Sequence, residues 1–182
     1  RLAGELGDGI RMHPLNTAAY LRDVIRPAVA EGAAAAGRSL ADIEFAINPF
    51  FATGSDSREL AESVELIRKH ISFYAATASY AAVMRHHGWD DVGERLVALS
   101  REGRWEQMPA LVSDAMLDTF AIVGLLNELP AKLAARYGGL VDAVNVVFGP
   151  PYAALQPRQR DLFVRLGPVL PALQLIPAAG GR

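Results

Sequence analysis

The amino-acid sequence predicts an α/β fold, the closing portion of a barrel of parallel βα units. Three observations carry this reading. Strand candidates at residues 9–13, 43–53 and 141–148 stand singly, separated by stretches of helical periodicity rather than by hairpin turns. The two longer candidates are apolar with little alternation, the pattern of strands covered on both faces. A helical segment also enters ahead of the first strand, which suits the end of a barrel better than a finished open sheet.

Taken in order, Arg1–Leu6 has helical composition with no capping residue or turn in front of it, so the chain is expected to be the back half of something larger. Residues 9–13 form a short strand candidate ended by Pro14, which removes an amide donor and holds its predecessor extended. Asn16 or Thr17 then caps a helix through Tyr20, Leu21, Val24, Ile25 and Val29 to the alanines at 33–36, with Pro27 expected to bend it and Gly37 to stop it. Residues 39–42 read as a turn or a single helical turn. The second strand candidate follows, with Asn48 as a polar interruption inside it.

Asp56 with Glu59 resembles a capping box and opens a helical stretch to about Gly88. Asp90 or Asp91 with Glu94 starts a further helix to about Arg101. A short helix is expected around Trp105–Val112, and Ser113 caps another over Asp114–Phe120. Gly124 breaks an apolar run before a helix over Leu125–Tyr137, which Gly138-Gly139 ends. The β-branched third strand candidate comes next. Residues 1–149 are read as one partial barrel domain, with a large helical insertion after the second strand, and residues 150–182 as a proline-rich tail.

The 182 residues are 51% apolar and 21% charged, with no Cys and a formal charge of -2. That near-neutral balance offers no footprint for a phosphate backbone, so no nucleic-acid partner is expected. No apolar stretch reaches the roughly 18 residues of a membrane span, and no charged leader precedes a small-residue cleavage site. A cytoplasmic location without membrane contact is therefore the expectation.

Candidate functional residues follow from the barrel reading, because chemistry in that architecture sits at the C-terminal ends of strands. His13 ends the first strand candidate, where an imidazole can donate to a ligand or be satisfied by the adjoining turn. Asn48 can orient a ligand or satisfy backbone groups. Phe50 and Phe51 point to opposite faces of a strand, and Tyr74 and Tyr80 flank small residues, so one of each pair can line an aromatic pocket or belong to the core. His13, Asn48, Phe50 and Tyr74 make up the expected substrate pocket. Gly124, ahead of a helix, can present unpaired amides to an anionic cofactor group or can simply form a turn.

No catalytic residue is assigned. His70, His86 and His87 lack the converging donors a metal needs, so no metal site is expected. Asp90, Asp91 and Glu94 read as helix-start charge rather than as an acid and base pair. The sequence holds no Gly-x-Ser-x-Gly elbow, no Cys for a Cys–His pair and no phosphate-binding glycine loop. Covalent hydrolysis and phosphoryl transfer thus have no support. Redox chemistry would take its electrons from a bound ring.

Several pieces together resemble the luciferase-like flavin or deazaflavin (coenzyme F420) dependent oxidoreductases. They are residues 1–9, Tyr20-Leu21-Arg22, Glu31-Gly32 and Gly37-Arg38, then Phe120-Ala121-Ile122-Val123-Gly124 and Gly138-Gly139-Leu140-Val141-Asp142-Ala143-Val144. The resemblance covers roughly residues 1–148. It implies a (β/α)8 TIM barrel whose strands six, seven and eight are the three candidates above. It also implies hydride exchange between F420 or FMN and a small organic substrate, with monooxygenation in some members, and a homodimer as the complete protein. In that family the ring-binding residues come mainly from earlier strands, so the resemblance implies that the catalytic apparatus is incomplete within this chain. The alternative is a non-catalytic interaction or small-molecule binding module derived from the same fold.

Overall fold

A computed structural model describes residues 1–145 and Val164. The proline-rich tail read over 150–182 and the end of the third strand candidate otherwise lie outside the described residues. Contacts divide the chain into two compact units, Arg1–Pro49 with the chain from Asn127 onward, and Phe50–Leu126.

The first unit is built on helix α1 (Leu2–Leu6), strand β1 (Gly9–Met12), helix α2 (Ala18–Tyr20), a π-helical segment (Leu21–Ile25), helix α3 (Arg26–Ala35) and strand β2 (Glu44–Ile47). Thr17 caps α2, its hydroxyl accepting from the Tyr20 N–H at 3.0 Å. Pro27, expected to bend this helix, is the second residue of α3, which continues directly from the π-helical segment. The irregularity falls just before it, where the Arg26 N–H reaches back to the Leu21 carbonyl. Gly37 ends the helix at φ +70°. Residues 40–42 form a single 3-10 turn closed by a reciprocal Ser39 and Asp42 capping box.

Strand β2 is the middle of a three-stranded parallel sheet, with β1 on one side and β5 (Ala143–Val144) on the other. Asp142 guides β5 into place by two bonds to one residue: its N–H donates to the Phe45 carbonyl and its carboxylate accepts from the Phe45 N–H, both at 2.8 Å. The Arg26 guanidinium lies 4.6 Å from the centre of the Phe45 ring and donates to the Leu140 carbonyl at 2.9 Å. Helix α8 (Leu129–Tyr137) contributes the buried side chains Leu129, Leu133 and Tyr137.

The second unit holds strand β3 (Phe50–Gly54) paired in parallel with strand β4 (Ala121–Leu125), and between them in sequence the long helical excursion. Helix α4 (Ser57–Ala75) covers β3 with Ile67, Ile71 and Ala75. Ile71 is completely buried, which contributes about 1.5–3 kcal/mol relative to leaving it exposed. Asp56 caps α4 by accepting from the Glu59 N–H, and the Glu59 carboxylate accepts from the Ser55 N–H, both at 2.8 Å. Helices α5 (Ala81–His86), α6 (Asp90–Arg101) and α7 (Asp114–Phe120) complete the excursion. Arg68 of α4 donates to the Val112 carbonyl and to Asp114 at the start of α7.

The structure bears out an α/β fold with parallel strands, consistent with part of a barrel, and revises its strand inventory. No closed barrel forms among the described residues; the strands make a three-stranded and a two-stranded sheet. The second candidate, read as one strand over 43–53, is two strands in different sheets. Pro49 has no N–H to extend the ladder, so β2 stops at Ile47 and β3 starts afresh at Phe50. Leu125, expected to open a helix, closes β4, and α8 begins only at Leu129 after a 3-10 turn. A run as short as Ala121–Leu125 carries no periodicity to separate strand from buried helix.

Helices α1 and α3 touch backbone to backbone. A Cβ on Gly4 would lie 2.1 Å from the Val29 carbonyl oxygen, and one on Gly32 would lie 2.1 Å from that of Arg1. Replacing Gly32→Ala is expected to lower stability by about 2 kcal/mol or more through overpacking, read as a lower urea midpoint. Gly93→Ala within α6 meets nothing closer than 3.8 Å. It is expected to raise stability by up to about 1 kcal/mol through helix propensity alone.

Burial pushes the Tyr137 phenol up to about 12, against the pull of the neighbouring Arg136 guanidinium. The fold holds the neutral phenol, so this contribution is complete below pH 10 and is lost as pH rises through the folded-state value. A loss of about 3 kcal/mol between pH 10 and 12 is expected in urea titrations, and Tyr137→Phe should remove that alkaline component.

Candidate functional site

The parallel register of the first unit brings three polar residues onto one rung. Met12 of β1 is level with Ile47 of β2, and Ile47 is level with Val144 of β5. The next residue on each strand is His13, Asn48 and Asn145, immediately past the C-terminal ends of the strands. The Asn145 N–H donates to the Ile47 carbonyl at 2.8 Å, which extends the ladder to that rung.

His13 is held by the turn that follows β1. Its Nδ1 accepts from the Leu15 N–H at 3.1 Å, and the Asn16 N–H donates to the Pro14 carbonyl at 2.8 Å. An accepting Nδ1 carries no proton, so the neutral ring bears its hydrogen on Nε2. Desolvation lowers the His13 pKa from its ordinary value, which keeps the imidazole neutral at pH 7.

Asn48 and Asn145 are partly buried. The Asn48 Oδ1 and the Asn145 Nδ2 are both shielded from solvent, and neither has a hydrogen-bond partner. An unmet acceptor and an unmet donor each cost about 1–3 kcal/mol when buried, so such groups concentrate where a ligand or function compensates them. Asn48 was legible as a polar interruption of an apolar run. Asn145 was passed over within the β-branched stretch 141–148, although it stands directly after its strand as Asn48 does.

The second unit gathers an aromatic group. Phe50, at the start of β3, lies with its ring centre 6.1 Å from Tyr74 and 6.3 Å from His70, which are one turn apart on α4. Tyr74 also meets Tyr80 edge-on at 6.1 Å and Phe73 at 5.3 Å. Burial lowers the His70 pKa, so this ring too is neutral at pH 7. Gly124 pairs with Thr53, three positions along the ladder from the pairing of Phe50 with Ala121. It therefore sits at the other end of β3 from Phe50, about 10 Å along the strand. Thr53 carries a buried hydroxyl without a hydrogen-bond partner.

The remaining histidines make ring contacts. His87 stacks on Trp89 at 4.8 Å and meets Phe120 at 6.2 Å, while His86 is perpendicular to it. Among the described residues no group of three or more His, Cys, Asp or Glu side chains is placed to hold a metal ion. Asp90 pairs with Arg85 at 3.2 Å on the surface. No helix among the described residues is long and apolar enough to cross a membrane.

Residues 1–143 match the luciferase-like monooxygenase family. The chain belongs to that family. Its relatives include an uncharacterized protein of Mycobacterium tuberculosis strain H37Rv, 39% identical over 147 residues, which make up 81% of this chain and 43% of the relative. The 5,10-methylenetetrahydromethanopterin reductase of Methanopyrus kandleri is 28% identical over 152 residues, 83% of this chain and 41% of that protein. The solved structure of the coenzyme F420 dependent tetrahydromethanopterin reductase from the same organism superposes with a TM-score of 0.67 at 24% identity, over 96% of this chain and 44% of that one. The chain thus spans less than half the length of these family members, and at that identity the superposition speaks for the fold.

The rung geometry fixes the state of its imidazole. Long-range 15N correlations are expected to show His13 as the Nε2–H tautomer, with its pKa lowered from the ordinary imidazole value by burial. A predominant Nδ1–H tautomer would contradict the turn bond to Leu15.

Proposed function

We propose that this chain is the C-terminal portion of a luciferase-like oxidoreductase that exchanges hydride between a flavin-type ring, F420 or FMN, and a small organic substrate. Family membership across residues 1–143 supports the reaction class. The single structural observation that carries the reading is the rung His13, Asn48 and Asn145 at the C-terminal ends of three parallel strands. That end of a parallel sheet is where ligands bind in barrel enzymes. The likeness to methylenetetrahydromethanopterin reductases favours a two-electron reduction or its reverse.

The residues present suit a neutral, polar, planar ring. When bound, such a ring supplies the hydride that side chains cannot. The shielded amide atoms of Asn48 and Asn145 have hydrogen-bonding capacity to give it. His13, neutral and protonated on Nε2, brings no charge to the rung. The role of this portion is orientation: it fixes a ring edge by hydrogen bonds and leaves electron transfer to the ring.

The test uses the protein expressed from its native gene, titrated with oxidised FMN and with oxidised F420 by visible absorbance and then assayed for hydride transfer. Binding of one ring at micromolar concentration, with reduction or oxidation of that ring on adding substrate, is the expected outcome. A cooperatively folded protein that binds neither ring would overturn the proposal and favour an interaction module derived from the fold. Ring binding without turnover would favour a sensing or carrier role.

A further inference from the structure

We infer that Asn48 and Asn145 together read the edge of a cyclic amide, with Asn48 Oδ1 accepting a ring N–H and Asn145 Nδ2 donating to the adjacent ring carbonyl. The inference rests on the oxidoreductase reading in placing a ligand at this rim, and it adds the chemical class that the rim selects.

The argument starts from register. Because Ile47 and Val144 are level, Asn48 and Asn145 occupy neighbouring positions on parallel strands about 4.8 Å apart. One offers an acceptor and the other a donor, which could satisfy each other if they met. They do not: each of the two atoms lacks any partner. Two complementary groups held side by side yet unbonded match a ligand that carries the mirror pattern, a donor next to an acceptor. A lactam or imide has that pattern along one rigid edge. Both residues keep part of their surface exposed, and the broad χ2 of asparagine lets each amide turn toward an incoming ring.

Charge selects within this class. The third residue of the rung, His13, is neutral at pH 7, and no ionised side chain belongs to the rung. A carboxylate or phosphate would find no counter-charge on the three rung residues themselves, whereas a neutral ring edge is matched bond for bond. Leaving such a pair unmet discriminates strongly against analogues that lack the pattern.

Flavin-type cofactors and pterin-type substrates both carry this edge, and a binding experiment separates them. The protein expressed from its native gene is 15N-labelled and titrated with lumiflavin, 6-methylpterin and the N3-methylated form of each, following the side-chain amide signals of Asn48 and Asn145. The expected result is that one parent ring moves both signals and that its N3-methyl form binds at least about tenfold more weakly. A response to lumiflavin assigns the edge to the cofactor, and a response to 6-methylpterin assigns it to the substrate.

Substitutions test the polarity of the pair. Asn48→Asp keeps an acceptor and should retain binding, while Asn145→Asp loses the donor and should weaken binding about tenfold or more, with its backbone amide spectrum unchanged. Equal affinity for parent and methylated rings, the reverse pattern of variants, or signals that stay put up to the solubility limit of every ring would each overturn the inference. Hydride transfer with unmoved asparagine signals would overturn it while leaving the oxidoreductase reading intact. Lactam discrimination without any hydride transfer would do the opposite.

Discussion

The candidate site depends on the parallel ladder that locks β2 between β1 and β5. Parallel pairing fixes the level of each strand as well as its direction, so the residue after Met12, the residue after Ile47 and the residue after Val144 come out on one rung. A slip of one position would turn every side chain of the slipped strand to the opposite face. The pins against such a slip lie below the rung. The Glu44 N–H donates to the Asp8 carbonyl where β1 meets β2, and Asp142 exchanges two bonds with Phe45 where β5 joins. Asp142 is exposed, yet it sets the level of the whole third strand.

The second unit applies the same logic with different means. Its two parallel strands are buried along nearly their whole length and are joined by helices, of which α4 packs on both strands. Arg68 ties α4 to the segment entering α7 through a backbone carbonyl and Asp114. The aromatic group around Tyr74 grows from one α4 face, with His70 and Tyr74 a turn apart and Phe50 laid against both. Its rings meet at tilted and edge-on angles, the geometry their quadrupoles favour.

Much of the fold was legible wherever a single residue has a local task. Thr17, Asp56 and Ser113 each accept the backbone bond that their positions ahead of apolar periodicity foretold, and Gly37 takes the left-handed conformation that ends its helix. Features set by tertiary pairing were harder to read. Pro49 divides one apolar run into strands of two sheets, and nothing in the run itself says which sheet claims each half. Strand β4 is five residues with a glycine inside, too short for a period and recognisable only by its partner. At the site, His13 and Asn48 stood out because a polar residue at the end of an apolar strand is conspicuous. Asn145 did not, because its significance comes from being level with Asn48, and register is invisible until strands are paired.

The π-helical segment at Leu21–Ile25 gives the first unit a constraint of phase. One extra residue in a turn rotates everything after it by about 100° around the helix axis. That rotation brings Arg26 round to lie over Phe45 and to hold the Leu140 carbonyl. Chain length between Leu21 and Arg26 is therefore not a neutral spacer. Relatives that keep this arginine contact must keep the wide turn, and those that shed a residue there lose the cation that covers the central strand.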